Sequence, residues 1–193
     1  SRVRIEGGHV GPEFEGVGTE IVMTSGTFAD NADLFFGATL VMHGGRIFRG
    51  MNLWDGSRAD VHGGTLDQFI SHACSVISVH GGTIGTGSSV SGELNILGGF
   101  VGQLLVAREG GRVAISGGTL GSYARLEAGS QMEIAGGIVA GALRAGSESR
   151  VSLRGGSVGD RLLADAGSAV DIFGGDFRLD GVPLVGFGSN DSL

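Results

Sequence analysis

The chain has 193 residues, of which 40 are Gly and only two Pro, and 41% are hydrophobic. Gly is therefore about three times over-represented, yet the apolar fraction is enough to bury a core, which excludes collagen, a Pro-rich linker and a chain disordered for want of hydrophobic residues. The formal net charge is −7 and all 13 basic residues are Arg, so no partnership with nucleic acid or an anionic membrane surface is expected.

The pattern that opens the chain, Val3-Arg-Ile-Glu-Gly7-Gly8, recurs to its far end. Gly-Gly pairs begin at Gly7, Gly44, Gly63, Gly81, Gly98, Gly117, Gly136, Gly155 and Gly174, with Ser25-Gly26 in the one gap. Successive registers are 18, 19, 19, 18, 17, 19, 19, 19 and 19 residues apart. Four and two residues before the pair stand apolar residues such as Leu40 and Met42, Leu94 and Ile96, or Val113 and Ile115. Three residues after its first Gly stand Phe28, Ile47, Leu66, Ile84, Val101, Leu120 and Val139. A second alternating pair follows, for example Ala124 and Leu126 or Leu143 and Ala145, and a Gly-Ser or Gly-Gly corner then closes many units.

Within each segment the apolar period is two, the signature of a strand, and Gly breaks the segments by supplying positive φ at corners. A whole unit returning every 19 residues does not fit hairpins. It fits a coil whose strands pair in parallel with the coils above and below. The expected fold is all-β: a right-handed parallel β-helix, or solenoid, of about ten coils of 19 residues. It rises about 4.8 Å per coil, which makes a rod of roughly 45–50 Å. Right-handedness is expected because parallel crossovers take that hand and the sixfold motif of left-handed hexapeptide helices is missing. Residues 1–184 form one solenoid domain in this reading, and residues 185–193 a Gly/Ser/Asn-rich tail.

With Val-x-Ile-x-Gly-Gly-Thr/Ser-Val/Leu-Gly in hand, the chain resembles the Gly-rich solenoid repeats of bacterial secreted surface proteins. The passenger domains of diffuse-adherence autotransporter adhesins use similar Gly-Gly-Thr coils. The closing stretch from Phe173 to Leu184 looks like the end of repeat regions in planctomycete-type surface proteins. The resemblance covers nearly the whole chain. It implies an exported, extracellular or cell-surface location and an adhesive or structural role, and it brings no catalytic motif and no cofactor.

The ends of a solenoid expose unpaired backbone groups and an open core. No capping helix precedes the first unit, and at the other end the repeat decays through Gly181-Val182-Pro183-Leu184. Two readings stand side by side. Flanking sequence of a longer protein covers the ends, or Val3 and Ile5 of one subunit stack on Val182 and Leu184 of the next. The second is a heterologous contact that propagates into a head-to-tail homopolymer.

Outward positions carry the remaining candidates. Phe35 and Phe36 in the second coil lie beside Trp54 in the third, an aromatic patch for glycan stacking or protein contact, or else a ring filling an irregular corner. His43, His62 and His80 precede three consecutive Gly pairs and fall in one column, able to share a divalent metal or simply to stack. Cys74 sits at a corner with His72, which the register places inward, and lacks the base and oxyanion site of a nucleophile. Thr27, Thr65, Thr83 and Thr119 share a column that Arg46 and Phe100 interrupt, too irregular for ice binding. Asp60, Glu133 and Asp171 share another, held apart by shorter residues, while Asp30, Asp33, Asp55 and Asp67 sit at turns. Solenoid polysaccharide lyases and hydrolases need clustered acidic groups and long loops that build a cleft. Neither is visible, so no enzyme is expected. A self-assembling filament or matrix subunit is the first reading and a monomeric adhesin or carbohydrate-binding stalk the second, with a divergent glycan enzyme behind both.

Overall fold

The computed structural model describes residues 1–174, together with the backbone of residues 178–179 and 182–183. The described chain is all-β and coils upon itself as a β-solenoid. Each turn carries three strands, which define three faces. In one turn these are Arg112–Ile115 on the first face, Thr119–Leu120 on the second and Ala124–Leu126 on the third. First and second faces belong to one 17-stranded sheet, because Arg2–Val10 and Glu20–Phe28 run through both without a break; the third is a separate nine-stranded sheet. The third face thus counts nine turns, and the strand Ala169–Ile172 opens a tenth on the first face.

Pairing is parallel between all successive turns, and like residues lie over like. Val113 stands on Met132, Ile115 on Ile134, Leu120 on Val139 and Leu126 on Ala145. The period-two pattern sends these side chains inward, and Val113, Ile115, Leu120, Ala124 and Leu126 are all buried. One continuous core runs from Ile5 to Val151, and the partly open hydrophobic residues packed on it, Val3, Val10, Phe14 and those from Leu153 onward, lie at the two ends of the ladder. Each fully buried Ile or Leu contributes on the order of 1.5–3 kcal/mol.

Between the first and second faces sits the Gly pair, and its two members are required for different reasons. The second, such as Gly137, has φ +72°, which disfavours any side chain. The first, such as Gly136, has no positive φ, but a Cβ there would stand 2.5 Å from the carbonyl oxygen of Ser116 in the preceding turn. Gly137 is doubly constrained, since its Cβ would also meet the Gly117 carbonyl at 2.7 Å. Gly-Gly pairs stack here as backbone on backbone.

The corner between third and first faces is built differently. A left-handed residue precedes a buried Ser whose hydroxyl donates to the carbonyl three residues back, as Ser130 to Glu127 at 2.6 Å and Ser149 to Gly146 at 2.6 Å. Gly is common at the left-handed position, but Cys74 and Glu148 hold it too, with φ of 60° each. Space is open there: a Cβ on Gly129 would find nothing nearer than 3.6 Å.

The 17-residue unit before Gly98 is the shortest, one residue less than the unit before it and two less than the unit after it. Its third-face strand shrinks to Ser89–Val90, and hydroxyls take over the missing backbone bonds. Ser71 and Ser75 bond each other inside the wall at 2.9 Å, Ser71 accepts from the Gly92 N–H at 3.2 Å, and Ser88 accepts from Phe69 N–H at 3.2 Å.

At the far end, Arg178–Leu179 and Val182–Pro183 pair antiparallel, so the parallel repeat stops there. The side chain of Val182, all of Leu184 and the expected tail of residues 185–193 lie outside the described residues.

Gly137 and Gly129 share a φ of +72° but differ in what lies beside them. Gly129→Ala is expected to cost about 1 kcal/mol, the ordinary penalty of the left-handed region. Gly137→Ala adds a clash with backbone that cannot yield and is expected to cost at least ~3 kcal/mol. Urea unfolding followed by circular dichroism measures both, and equal losses would remove the close contact as the reason for the second Gly.

Candidate functional site

Three features of the outer surface carry chemistry. The first is the row on which Phe35, Trp54 and His72 succeed one another at the corner leaving the third face. Backbone bonds set the row: the Trp54 N–H donates to the Leu34 carbonyl and the His72 N–H to the Leu53 carbonyl, both at 2.9 Å. Phe35 and Trp54 stack with centroids 5.6 Å apart and planes at 10°, and Trp54 and His72 at 3.8 Å and 7°. Phe36 stands beside this column, tilted at 33° to Phe35, with a left-handed backbone and 77% exposure.

His72 corrects the sequence register, which had it pointing inward. Ser71 takes the inward place below Leu53, buried among the hydroxyls of the short turn, and this parity turns His72 outward onto Trp54. The aromatic patch is therefore Phe35, Trp54 and His72 in one stack. Internal ring faces are spent on one another, so the column offers edges rather than open faces to a ligand. Cys74 lies exposed at the left-handed position of the corner that follows.

The second feature is the column of His43, His62 and His80. Their exposed rings stack face to face, at 5.1 Å and 21° for the first pair and 4.5 Å and 11° for the second. Imidazole lone pairs lie in the ring plane, so near-parallel rings aim them side by side instead of at a common point. No group of three His, Cys, Asp or Glu among the described residues is placed to hold a metal ion. Stacking, one of the two expectations for this column, is the geometry found.

The third feature is a shallow groove of about 330 Å³ on the first face. Two outward columns make it. One runs Glu93, Arg112, Gln131, Arg150, and the other Asn95, Ala114, Glu133, Ser152, each over four successive turns. Ala114 and Ser152 are short between longer neighbours, and the depression forms over them. Arg154 closes one side and bonds Glu133 at 3.2 Å, while Asn95 donates to Glu93 at 2.7 Å. Arg112 and Arg150 join no ion pair among the described residues, and the Ser152 hydroxyl is covered without a hydrogen-bond partner. Sequence reading passed over this groove because it sought paired carboxylates. The available signal was Arg recurring five residues before the Gly pair, at Arg58, Arg112 and Arg150, beside a column of small residues.

Elsewhere four of the acidic residues singled out above have structural partners. Asp67 accepts from Arg46 at 2.9 Å and from the Arg49 N–H at 3.1 Å, Asp30 pairs with Arg49 at 3.2 Å, and Asp33 accepts from Asn52 at 2.6 Å. Asp60 is held by Arg58 at 2.9 Å. Partial burial pushes its carboxyl up, but the Arg58 hydrogen bond and charge outweigh this and leave it below the usual carboxylate range. The Thr column is interrupted by Arg46 and Phe100 as expected, with Ile138 following Thr119.

No helix among the described residues is long and apolar enough to cross a membrane. No protein-family model, no curated protein and no solved structure matches the chain.

Trp54 is the single Trp, so its fluorescence reports on the stack alone. His72→Ala is expected to shift its emission to the red and to lower stability by about 0.5–1.5 kcal/mol, the range for an aromatic pair; an unchanged spectrum would contradict the stacked geometry. Asp60 offers a pH test. A carboxyl lowered by folding stabilises above its unfolded value and loses that contribution as pH falls through the folded one. Asp60→Asn should therefore melt below wild type at pH 7, with the gap closing below pH 3.8, the ordinary value. A gap that persists into strong acid would assign the loss to something other than the charge.

Proposed function

We propose that the chain is a non-catalytic structural rod of a cell surface or extracellular matrix, working through self-association and through contacts along its outer faces. The observation that carries this reading is the register of the rungs, which repeats from turn to turn after a bulge between Ile5 and His9 in the first. Turn lengths vary only between 17 and 19 residues, and the third face pairs rung by rung through nine strands. No insertion of cleft-building length interrupts that register, and the groove on the first face is shallow and open. At the turns, Asp30, Asp33 and Asp67 are tied to Arg and Asn in pairs that serve the fold, which supports a structural role over acid–base catalysis. The resemblance of the repeat to those of secreted surface proteins supports an extracellular setting.

Self-association follows from how every internal rung is held. A rung is bound by parallel backbone ladders and by an apolar stripe, both of which one rod can offer to another. Stacked in this way, rods lengthen in steps of one subunit and form a heterologous, open-ended assembly.

Sedimentation velocity from micromolar to millimolar concentration, with electron microscopy of the same samples, tests the reading. Oligomers that lengthen with concentration, with an axial repeat of roughly 45 Å for nine rungs, are the expected result. One monomeric species across the whole range overturns it.

A further inference from the structure

The groove on the first face has a chemistry that the rod does not need for its own stability. We propose that it is a binding site for an extended acidic oligosaccharide, one whose sugars carry carboxylates, as uronic acids do. The assignment goes beyond the structural reading above and stands or falls separately from it.

Charge is the first ground. The chain carries −7 overall, yet this groove gathers Arg112, Arg150 and Arg154 against Glu93 and Glu133. Glu133 is already answered by Arg154 and Glu93 by Asn95. Two guanidiniums are left, Arg112 and Arg150, both exposed and both without an ion pair among the described residues. A guanidinium fork matches a carboxylate with two parallel hydrogen bonds.

Spacing is the second ground. Arg112 and Arg150 share a column with Gln131 between them, so their backbones are two rungs, roughly 10 Å, apart. The groove spans four rungs, about 14 Å from first to last. A ligand that meets both cations must be extended along the rod, with acidic groups at intervals and uncharged polar groups between. Gln131 lies on the rung between the two cations, where an intervening polar group would sit, and the two Glu carboxylates accept hydrogen bonds from hydroxyls.

The same lining argues against other polyanions. Glu93 and Glu133 repel a ligand with a charge on every unit, which disfavours nucleic acid. Peptides are recognised by adding a strand to a free edge or by seating apolar side chains in a groove. Here each rung from Glu93 to Leu153 is paired on both sides, and the lining is guanidinium, amide, hydroxyl and carboxylate, with apolar side chains only in the floor.

Calorimetric titration of the purified chain at low ionic strength tests the assignment, with a tetrasaccharide of glucuronate alternating with N-acetylglucosamine as probe. A neutral glucose tetramer, an Asp/Glu tetrapeptide and a short single-stranded DNA serve as comparisons. The alternating uronate tetrasaccharide is expected to bind and to weaken as salt is raised. Arg112→Gln and Arg150→Gln are each expected to weaken it about tenfold, and the double variant to abolish measurable binding. Arg125→Gln, on the third face, should leave the affinity unchanged. Circular dichroism of the variants should match wild type, because both side chains are exposed. Binding that survives in the double variant overturns the proposal. So does tighter binding of the peptide or the DNA, equal binding of the neutral sugar, or no binding of the uronate tetrasaccharide at millimolar concentration.

Discussion

The stacking of Gly-Gly on Gly-Gly is the contact on which the rest of this molecule depends. From Gly44 onward, at each described corner between first and second faces, backbone of one turn lies directly on backbone of the turn before, at distances that leave no room for a Cβ. That contact sets the angle between two faces and the register of every ladder that leaves the corner. Once it is in place, the apolar residues on either side must fall over their counterparts, and a column of Ile and Val becomes a core. Cores of this type distribute their stability over nearest neighbours, turn by turn.

Much of this was legible in the sequence because the period is long, regular and marked by a residue with a physical reason to be there. Inward rows followed from parity around the Gly pair, and the His column at His43, His62 and His80 followed from counting back one residue from it. Counting failed where the markers were absent. His72 lies just before the 17-residue unit, in a turn closed by Cys74 and Ser75 rather than Gly-Ser, and without the Gly marker its parity was misassigned. Hydroxyls of Ser71 and Ser75 do in that turn what backbone does elsewhere, and nothing in a pattern of apolar residues announces it. The groove was hidden for another reason. It is made by what Ala114 and Ser152 lack, measured against residues 19 positions away on either side.

The surface thus divides along the length of the rod. The early turns display stacked rings, of His on one column and of Phe35, Trp54 and His72 on another. The later turns display Arg, amide and hydroxyl groups on the first face. The same scaffold carries both because outward residues are free of the packing rules that bind inward ones. A rod of this kind can vary what it presents turn by turn while its interior stays constant.

The direction of the ladder bonds has a mechanical consequence. Because turns stack in parallel, their backbone hydrogen bonds run along the rod, and tension applied at its two ends pulls on the bonds of a terminal rung before any other. Such a rod yields by peeling. Each released turn exchanges a rise of about 4.8 Å for the contour of its own residues, and 19 residues fully extended reach roughly 60 Å. Load is taken up one turn at a time, with an extension more than tenfold larger than the step it replaces. A core built from many equivalent turns thereby gives graded elongation under stress, where a globular domain of equal size gives a single all-or-none rupture.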